Sequence, residues 1–298
     1  MHNNDDNGYT ELHIASPPKR VISLVPSLTE SLFDLGFGSS VIAVTDYCIH
    51  PREKLSGLPR IGGPKNPRIQ DILDLKPDLV LANVEENSRP DIEALQQARV
   101  GVWLTFPKTV REALDILWIL VGIYQSTTAA IRLETLELTL DWVITSAKEN
   151  IPLRYFCPIW TGETQGEKLW WMTFNRDTYC DNLLEIIGGE NIFADRQRSY
   201  PLSADLGLAK PKPNSNRDTR YPRVTLAEIL SLAPEVMLLP SEPWEFSESD
   251  KENILRLLAD TPAVSNGRVH LVDGSLISWH GTRLAHALRE LPSLFSTD

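Results

Sequence analysis

Apolar and polar positions along the chain fall into a pattern that occurs twice. A β-rich run ending in a Pro-containing loop appears as RVISLVPS (Arg20–Ser27) and again as RYFCPIW (Arg154–Trp160). A helix that runs into glycine and then a short strand appears as LFDLGFGSSVIAVT (Leu32–Thr45) and LLEIIGGENIF (Leu183–Phe193); glycine just past a helix end is the usual left-handed cap. ILDLKPDLVLAN (Ile72–Asn83) matches ILSLAPEVMLLP (Ile229–Pro240) almost position for position. In each, helical spacing stops at a proline, and a continuous apolar run comes next, as expected of a strand buried on both faces of a parallel sheet. VGVWLTF (Val100–Phe106) and GRVHLVDG (Gly267–Gly274) form the last pair. Strands alternating with helices predict βαβ units, and two such sets predict an α/β protein with two parallel-sheet lobes and flanking helices.

Between the sets, Val110 to Asn150 carries apolar residues at helical spacing with little turn chemistry. Gly122 and Ser126-Thr127-Thr128 divide it into one helix closing the first lobe and a second, of about 20 residues and about 30 Å, capped near Ser126–Thr128. The expected organisation is a flexible tail over 1–19, a lobe over 20–126, a backbone linker helix over 127–150 and a second lobe over 151–298. The alternative is a single large α/β domain with one long helix on its face. Ser199–Arg220 is rich in Pro, Ser and Asn and reads as an inserted surface loop.

Composition narrows the function. The 298 residues carry a net charge of −11 and are 42% hydrophobic. A surface that negative repels phosphate backbones and anionic lipid, which argues against nucleic-acid and membrane-surface partners. The most apolar helical stretch, Leu114–Tyr124, contains Asp115 and is too short to span a bilayer. The N-terminal residues lack a basic segment followed by an apolar core, so the chain reads as cytoplasmic as written, or extracytoplasmic if a leader was removed. Cys48, Cys157 and Cys180 have no CxxC spacing and read as reduced thiols.

Ligands of open parallel sheets bind beyond the carboxyl ends of the strands. The loops expected there carry Pro26–Glu30, Asp46-Tyr47, Gly62-Gly63 and Glu85-Glu86-Asn87, then Trp160, Trp170–Thr173, Asp177–Tyr179, Arg220-Tyr221, Glu242–Trp244 and Ser278–Arg283. Five of the eight tryptophans are among them. Indoles are normally well buried, so their concentration in loops points to a cleft for a large, flat, partly apolar ligand. The bland readings are that Ser27 and Glu30 form a capping box, that Trp170 and Trp171 cover a lobe edge, that Glu85 and Glu86 are solvated, and that Arg283 only occupies a helix N-terminal turn. No Walker loop, GxGxxG, GxSxG or HExxH occurs, the histidines are scattered, and no metal ligand set is proposed.

These strings, RVISLVPSLTESLFDLG, GGPKNP to LKPDLVLAN, LLEIIGGENIF and LAPEVMLLP in this order, resemble the class III substrate-binding proteins of ABC importers. The resemblance covers Arg20 to Leu294 apart from the inserted loop. VTDYC, EEN, WMTF-x-RDTY, RYP, LLPSEPW and SW-x-G-x-R are similar to a leaderless, cobalamin-binding-like subgroup. It implies a monomeric, non-catalytic receptor holding a cobalamin-like corrinoid or other metal chelate between two lobes, with no covalently bound cofactor. Tyr47, Trp171, Trp244 and Trp279 would supply flat faces, with Met172 and Tyr221 beside them. Arg220 and Arg283 would donate to peripheral amides or carboxylates, and Asp177, Glu85 and Glu86 would accept from amides. The family's first-lobe tryptophan near Gly62-Gly63 is missing. Its two permease-docking glutamates fall at Gln70 and Ala227, with Asp71 and Glu228 one position along, a shift of about 100° on a helix. The alternative is a cytoplasmic corrinoid-handling enzyme, or a sensor or interaction protein, on the same scaffold.

Overall fold

The computed structural model describes residues 16–164, 169–213 and 217–296. The tail expected over 1–19 lies, up to residue 15, outside the described residues, as does the centre of the inserted loop at 214–216. The chain divides into two compact units: residues 1–138 with Trp279–Leu284, and residues 139–278 with 285–298.

The first unit contains β1 (Val21–Ser23), β2 (Val41–Val44), β3 (Gly62–Gly63), β4 (Asn66–Pro67), β5 (Leu79–Asn83) and β6 (Val102–Thr105). Four of them make a sheet in the order β2-β1-β5-β6, parallel throughout. All five residues of β5 are buried, because helices cover both faces of the sheet and leave no solvent side for polar residues. Ile22, Leu24, Ala43, Ile72, Val80, Ile92 and Val102 form its core. Strand β1 is shorter than the β-rich run that contains it, since Pro26 opens a helix, Pro26–Asp34, in which its missing N–H costs nothing.

The second unit contains β7 (Leu153–Phe156), β8 (Trp160–Glu163), β9 (Leu169–Met172), β10 (Gly189–Asn191), β11 (Arg223–Thr225), β12 (Val236–Pro240) and β13 (Val269–Val272). Its parallel sheet runs β10-β7-β12-β13. A separate antiparallel sheet, β11-β9-β8, is added to it. The segment 199–220 is not a plain surface excursion. It contains a short helix, Leu202–Asp205, and Asp205 is buried, accepting from the backbone N–H groups of Ser199 (2.8 Å) and Arg223 (2.7 Å).

The two consecutive helices are Val110–Tyr124 and the 21-residue Thr127–Ala147. Gln125 takes a left-handed conformation (φ 50°) at the break, and the Ser126 hydroxyl accepts from the Ala129 N–H at 3.2 Å. The first helix starts with a complete capping box: Thr109 accepts from the Glu112 N–H, and the Glu112 carboxylate accepts from the Thr109 N–H. Among the described residues no helix is long and apolar enough to cross a membrane, and the three cysteines are free. Thr109→Ala removes one of these bonds without touching the core. It is expected to cost about 1 kcal/mol, read as a lower urea midpoint with an unchanged slope.

Candidate functional site

In the first unit the carboxyl ends of β2 and β5 present Asp46-Tyr47 and Glu85-Glu86. Tyr47 is 65% exposed. Its ring lies over Gly63, where an added Cβ would stand 3.4 Å from the ring edge. A large aromatic side chain left open at the end of a largely buried strand is an unusual placement. Glu85 and Glu86 are half-buried. The Glu85 backbone is held at both ends, its N–H donating to Asn83 Oδ1 (2.7 Å) and its carbonyl accepting from Lys65 Nζ. Next to Tyr47 in sequence, Ile49, His50, Arg52 and Arg60 line a depression of about 400 Å³.

Trp279 and Arg283 sit in the same unit with roles the sequence did not separate. The segment that carries them is fixed to the helix Pro26–Asp34. Thr282 donates its N–H to Ser31 Oγ (3.1 Å) and its hydroxyl to Asp34 (2.8 Å). Gly281 has φ +102°, and a Cβ there would meet Ser31 Oγ at 2.3 Å, so only glycine allows this approach. Trp279 is buried and packs edge-on against His50 at 5.7 Å. The Arg283 guanidinium stacks over Trp279 (5.2 Å) and forms an ion pair with Glu30 at 3.0 Å, the two side chains being only 8% and 7% exposed. Arg283 is therefore committed inside the fold. The capping box expected of Ser27 and Glu30 is absent: the helix N-cap is Val25, with no side-chain cap, and the Glu30 carboxylate faces Arg283 instead.

His280, beside them, is fully buried, with Nε2 at 3.4 Å from Asn83 Nδ2. Burial penalises its charged form and lowers its pKa to about 4.

In the second unit the geometry of β8-β9-β11 decides which residues face outward. Register pairs Trp160 with Met172, Thr161 with Trp171 and Gly162 with Trp170; on the other edge Arg223 pairs with Met172 and Val224 with Trp171. Side chains alternate across a sheet, so Trp160, Trp170, Met172 and Arg223 share one face, and Thr161, Trp171 and Val224 share the other. The second face is the core side: Trp171 is 2% exposed and Val224 fully buried, both within one apolar cluster with Phe156 and Leu239. Trp171, expected to present a flat face, is thus turned away from Met172, and its neighbour Trp170 takes the outward place. Gly162 makes room for that ring; a Cβ there would stand 2.5 Å from it. Trp244, from the loop after β12, packs edge-on against Trp160 at 5.1 Å, and Trp160 remains 39% exposed.

Arg220 and Tyr221 are also brought together, the guanidinium lying 5.2 Å from the ring centroid. Arg220 grips Asp218 through Nε (3.0 Å) and Nη2 (2.7 Å). Burial works to raise the Asp218 pKa, but the hydrogen bonds and charge of Arg220, with the charge of Arg198, outweigh it and lower the value. Asp177 is exposed, its N–H bonded to Asn175 Oδ1 at 3.1 Å. Among the described residues no three His, Cys, Asp or Glu side chains gather to hold a metal ion.

At the positions matched to docking glutamates, Gln70 is exposed and donates to Asp74 (2.8 Å), and Ala227 is exposed. Their acidic neighbours are engaged. Asp71 pairs with Arg68 at 2.6 Å. Glu228 closes a capping box with Thr225 and pairs with Arg196 at 3.3 Å.

Two measurements separate structural from ligand-facing roles here. Arg283→Leu leaves Glu30 buried beside an apolar side chain, and breaking such a pair typically costs about 3–5 kcal/mol; a urea midpoint equal to wild type would instead make Arg283 dispensable to the fold. The second concerns pH. An unfolded histidine has a pKa near 6.5 and His280 in the fold about 4, so the unfolded chain binds the extra proton between those values. His280 contributes its full stability above pH 6.5 and loses it as pH falls towards 4, about 3 kcal/mol in all. His280→Gln is expected to show a shallower decline across that window than wild type.

Comparison with known proteins agrees with this architecture. Residues 21–276 match the family described as periplasmic binding protein. A vitamin B12-binding protein of Vibrio cholerae is 30% identical over 193 residues, 62% of this chain and 64% of that relative, so the chain spans just under two thirds of its length in the match. An uncharacterized ABC transporter substrate-binding lipoprotein of Bacillus subtilis is 24% identical over 96% of this chain and 83% of its own. Among solved structures, the periplasmic vitamin B12-binding protein of Vibrio cholerae superposes with a TM-score of 0.72 at 23% identity, covering 94% of this chain and 97% of the other. A periplasmic heme-binding protein of Roseiflexus sp. RS-1 gives 0.69 at 20%, covering 93% and 97%. At these identities the structural likeness is one of fold.

Proposed function

The chain belongs to the periplasmic binding protein family, one of binding components rather than enzymes, and on that premise we propose that it is the cargo-binding component of an ABC importer, holding a cobalamin-like corrinoid or another metal chelate without chemistry of its own. The observation that carries the reading is the outward face of β8-β9-β11. There Trp160, Trp170 and Met172 stand side by side, and Trp244 buttresses Trp160. Flat rings held by a rigid sheet stack against a planar macrocycle with little conformational entropy to lose. In the first unit Tyr47 supplies an exposed ring of the same kind. One relative is a vitamin B12-binding protein and one structural neighbour a heme-binding protein; both ligands are metal-bearing macrocycles, and such a ligand suits the aromatic surfaces of this chain.

Met172 and Tyr47 keep the roles expected of them in this proposal; Trp244 supports Trp160 from the side, Trp170 replaces Trp171, and Trp160 is added. Arg283 and Trp279 act behind the surface, by holding the segment 279–284 in place. Glu85 and Glu86, at the end of β5, remain the assigned acceptors for peripheral amides, with Asp177 and Arg220 as polar contacts in the second unit. Delivery to a permease would use carboxylates other than Glu228, whose oxygens are engaged by Thr225 and Arg196.

The test is direct. Cyanocobalamin, haemin and ferric chelates are added in turn at micromolar concentration, with melting temperature and tryptophan fluorescence as readouts. At least one is expected to quench fluorescence and to raise stability, by about 2.7 kcal/mol at a hundredfold excess over Kd. Trp170→Ala should weaken that ligand at least about tenfold, whereas Leu138→Ala, at an exposed position remote in sequence from the aromatic face, should not. No response to any of the ligands would sink the proposal.

A further inference from the structure

Tyr47, the exposed ring of the first unit, rises from the turn Thr45-Asp46-Tyr47-Cys48, which is closed by the Cys48 N–H donating to the Thr45 carbonyl at 3.2 Å. With the ring 65% exposed, its direction depends on the backbone that carries it. That backbone is held from three sides. The Asp46 N–H donates to the Gly62 carbonyl on β3 at 2.9 Å. The Cys48 thiol is buried, with Sγ 3.1 Å from Thr29 Oγ1 and 3.2 Å from Thr45 Oγ1. The third contact comes from Arg60, whose Nη1 donates to the carbonyls of both Thr45 (2.7 Å) and Cys48 (2.8 Å).

An arginine suits this place in a way that a neutral residue does not. Nη1 carries two N–H groups, and each reaches one end of the same turn, so a single side chain ties residue 45 to residue 48. Both bonds are charge-assisted, and such bonds are roughly twice as strong as neutral ones. The base of the side chain is fixed as well. On either side of Arg60, the Val44 N–H donates to the Pro59 carbonyl (3.1 Å) and the Ile61 N–H to the Val44 carbonyl (3.1 Å), and the carbonyl of Arg60 accepts from Arg68 Nη2. Arg60 also lines the depression of about 400 Å³ with Ile49, His50 and Arg52, so direct contact with a ligand is the competing role.

We infer that Arg60 is a positioning residue for cargo binding: by joining the carbonyls of Thr45 and Cys48 it holds the ring of Tyr47 in the direction in which a flat ligand stacks on it. Ordering the ring before a ligand arrives spares the cost of ordering it on binding. That the ring meets cargo rests on the proposed function; that the turn is braced does not.

Arg60→Met keeps an unbranched apolar stem and removes the donors; Arg60→Lys keeps a cationic nitrogen and carries the test if Arg60→Met does not fold. Two readouts are taken on the full chain. The first needs no ligand: the rate at which iodoacetamide alkylates Cys48, located by mass spectrometry, with Cys157 as the internal reference. Both thiols are buried, and burial raises the pKa of each, so each reacts only when its surroundings open. Arg60→Met is expected to speed alkylation of Cys48 at least about tenfold and leave Cys157 unchanged, with Arg60→Lys between it and wild type. The second readout is the affinity for cyanocobalamin, haemin and a ferric chelate, measured with Tyr47 present and in Tyr47→Ala, a change at an exposed position. With Tyr47 present, Arg60→Met is expected to weaken whichever ligand binds by about fivefold. In Tyr47→Ala the same change should cost less than about twofold. An equal loss in both backgrounds makes Arg60 a direct contact and overturns the positioning role. So does a Cys48 rate that stays unchanged or rises only in step with that of Cys157. A ligand that binds with an affinity unmoved by Arg60→Met leaves the proposed function standing and removes Arg60 from it. Faster alkylation of Cys48 with none of the ligands bound removes the proposed function, and the positioning role with it, but keeps the brace on the turn.

Discussion

A parallel sheet covered by helices on both faces leaves a protein one place to meet a ligand: the loops at the carboxyl ends of its strands. The rest of the two units serves to keep β5 and β12 dry, each with all five residues buried. Because those strands carry no side chains to solvent, a polar or aromatic residue that faces water at the carboxyl end of the sheet must come from the segments after them. Tyr47 lies beyond β2, Glu85 beyond β5, Trp160 beyond β7 and Trp244 beyond β12. The constraint concentrates recognition in short segments held by a rigid frame, and this is why a few side chains can be assigned a role at all.

The same constraint explains how much could be read from the sequence. Continuous apolar runs such as LVLAN and VMLLP mark strands without ambiguity, and Gly122 with Ser126 marks the break between the helices Val110–Tyr124 and Thr127–Ala147. The doubled pattern of strands and helices likewise announces an α/β protein. Side-chain direction was harder. LWWM has two adjacent indoles, and composition says that a strand here is aromatic, but only pairing with Val224 shows that Trp171 is the inward one. A slip of one residue turns every side chain in such a strand to the opposite face, so the outward set moved from Trp171 to Trp170 and Trp160.

Long-range polar pairing was equally hidden. Ser27 and Glu30 have the spacing of a capping box, and local rules favour one. Glu30 instead meets Arg283, more than 250 positions along the chain, because a buried carboxylate is stabilised far more by a guanidinium than by one more backbone N–H. Arg283 looked like a ligand contact for the same reason that it is a structural one: an arginine beside a tryptophan in a loop is the residue set of both. Burial separates the two, and burial depends on Gly281 letting the loop close on Ser31.

Where the two units differ, the difference lies in material added to a shared plan. Both have a four-stranded parallel sheet, but the second also carries β8-β9-β11 and the segment from Arg196 to Arg223. Asp205 ties these two additions together, accepting from the Arg223 N–H on β11 and from Ser199 at the start of the segment. A buried carboxylate with three partners cannot easily be released, since each lost bond to a charged group is worth roughly 1.5–3 kcal/mol. The aromatic face and the added segment are thus parts of one construction, with Arg223 belonging to both.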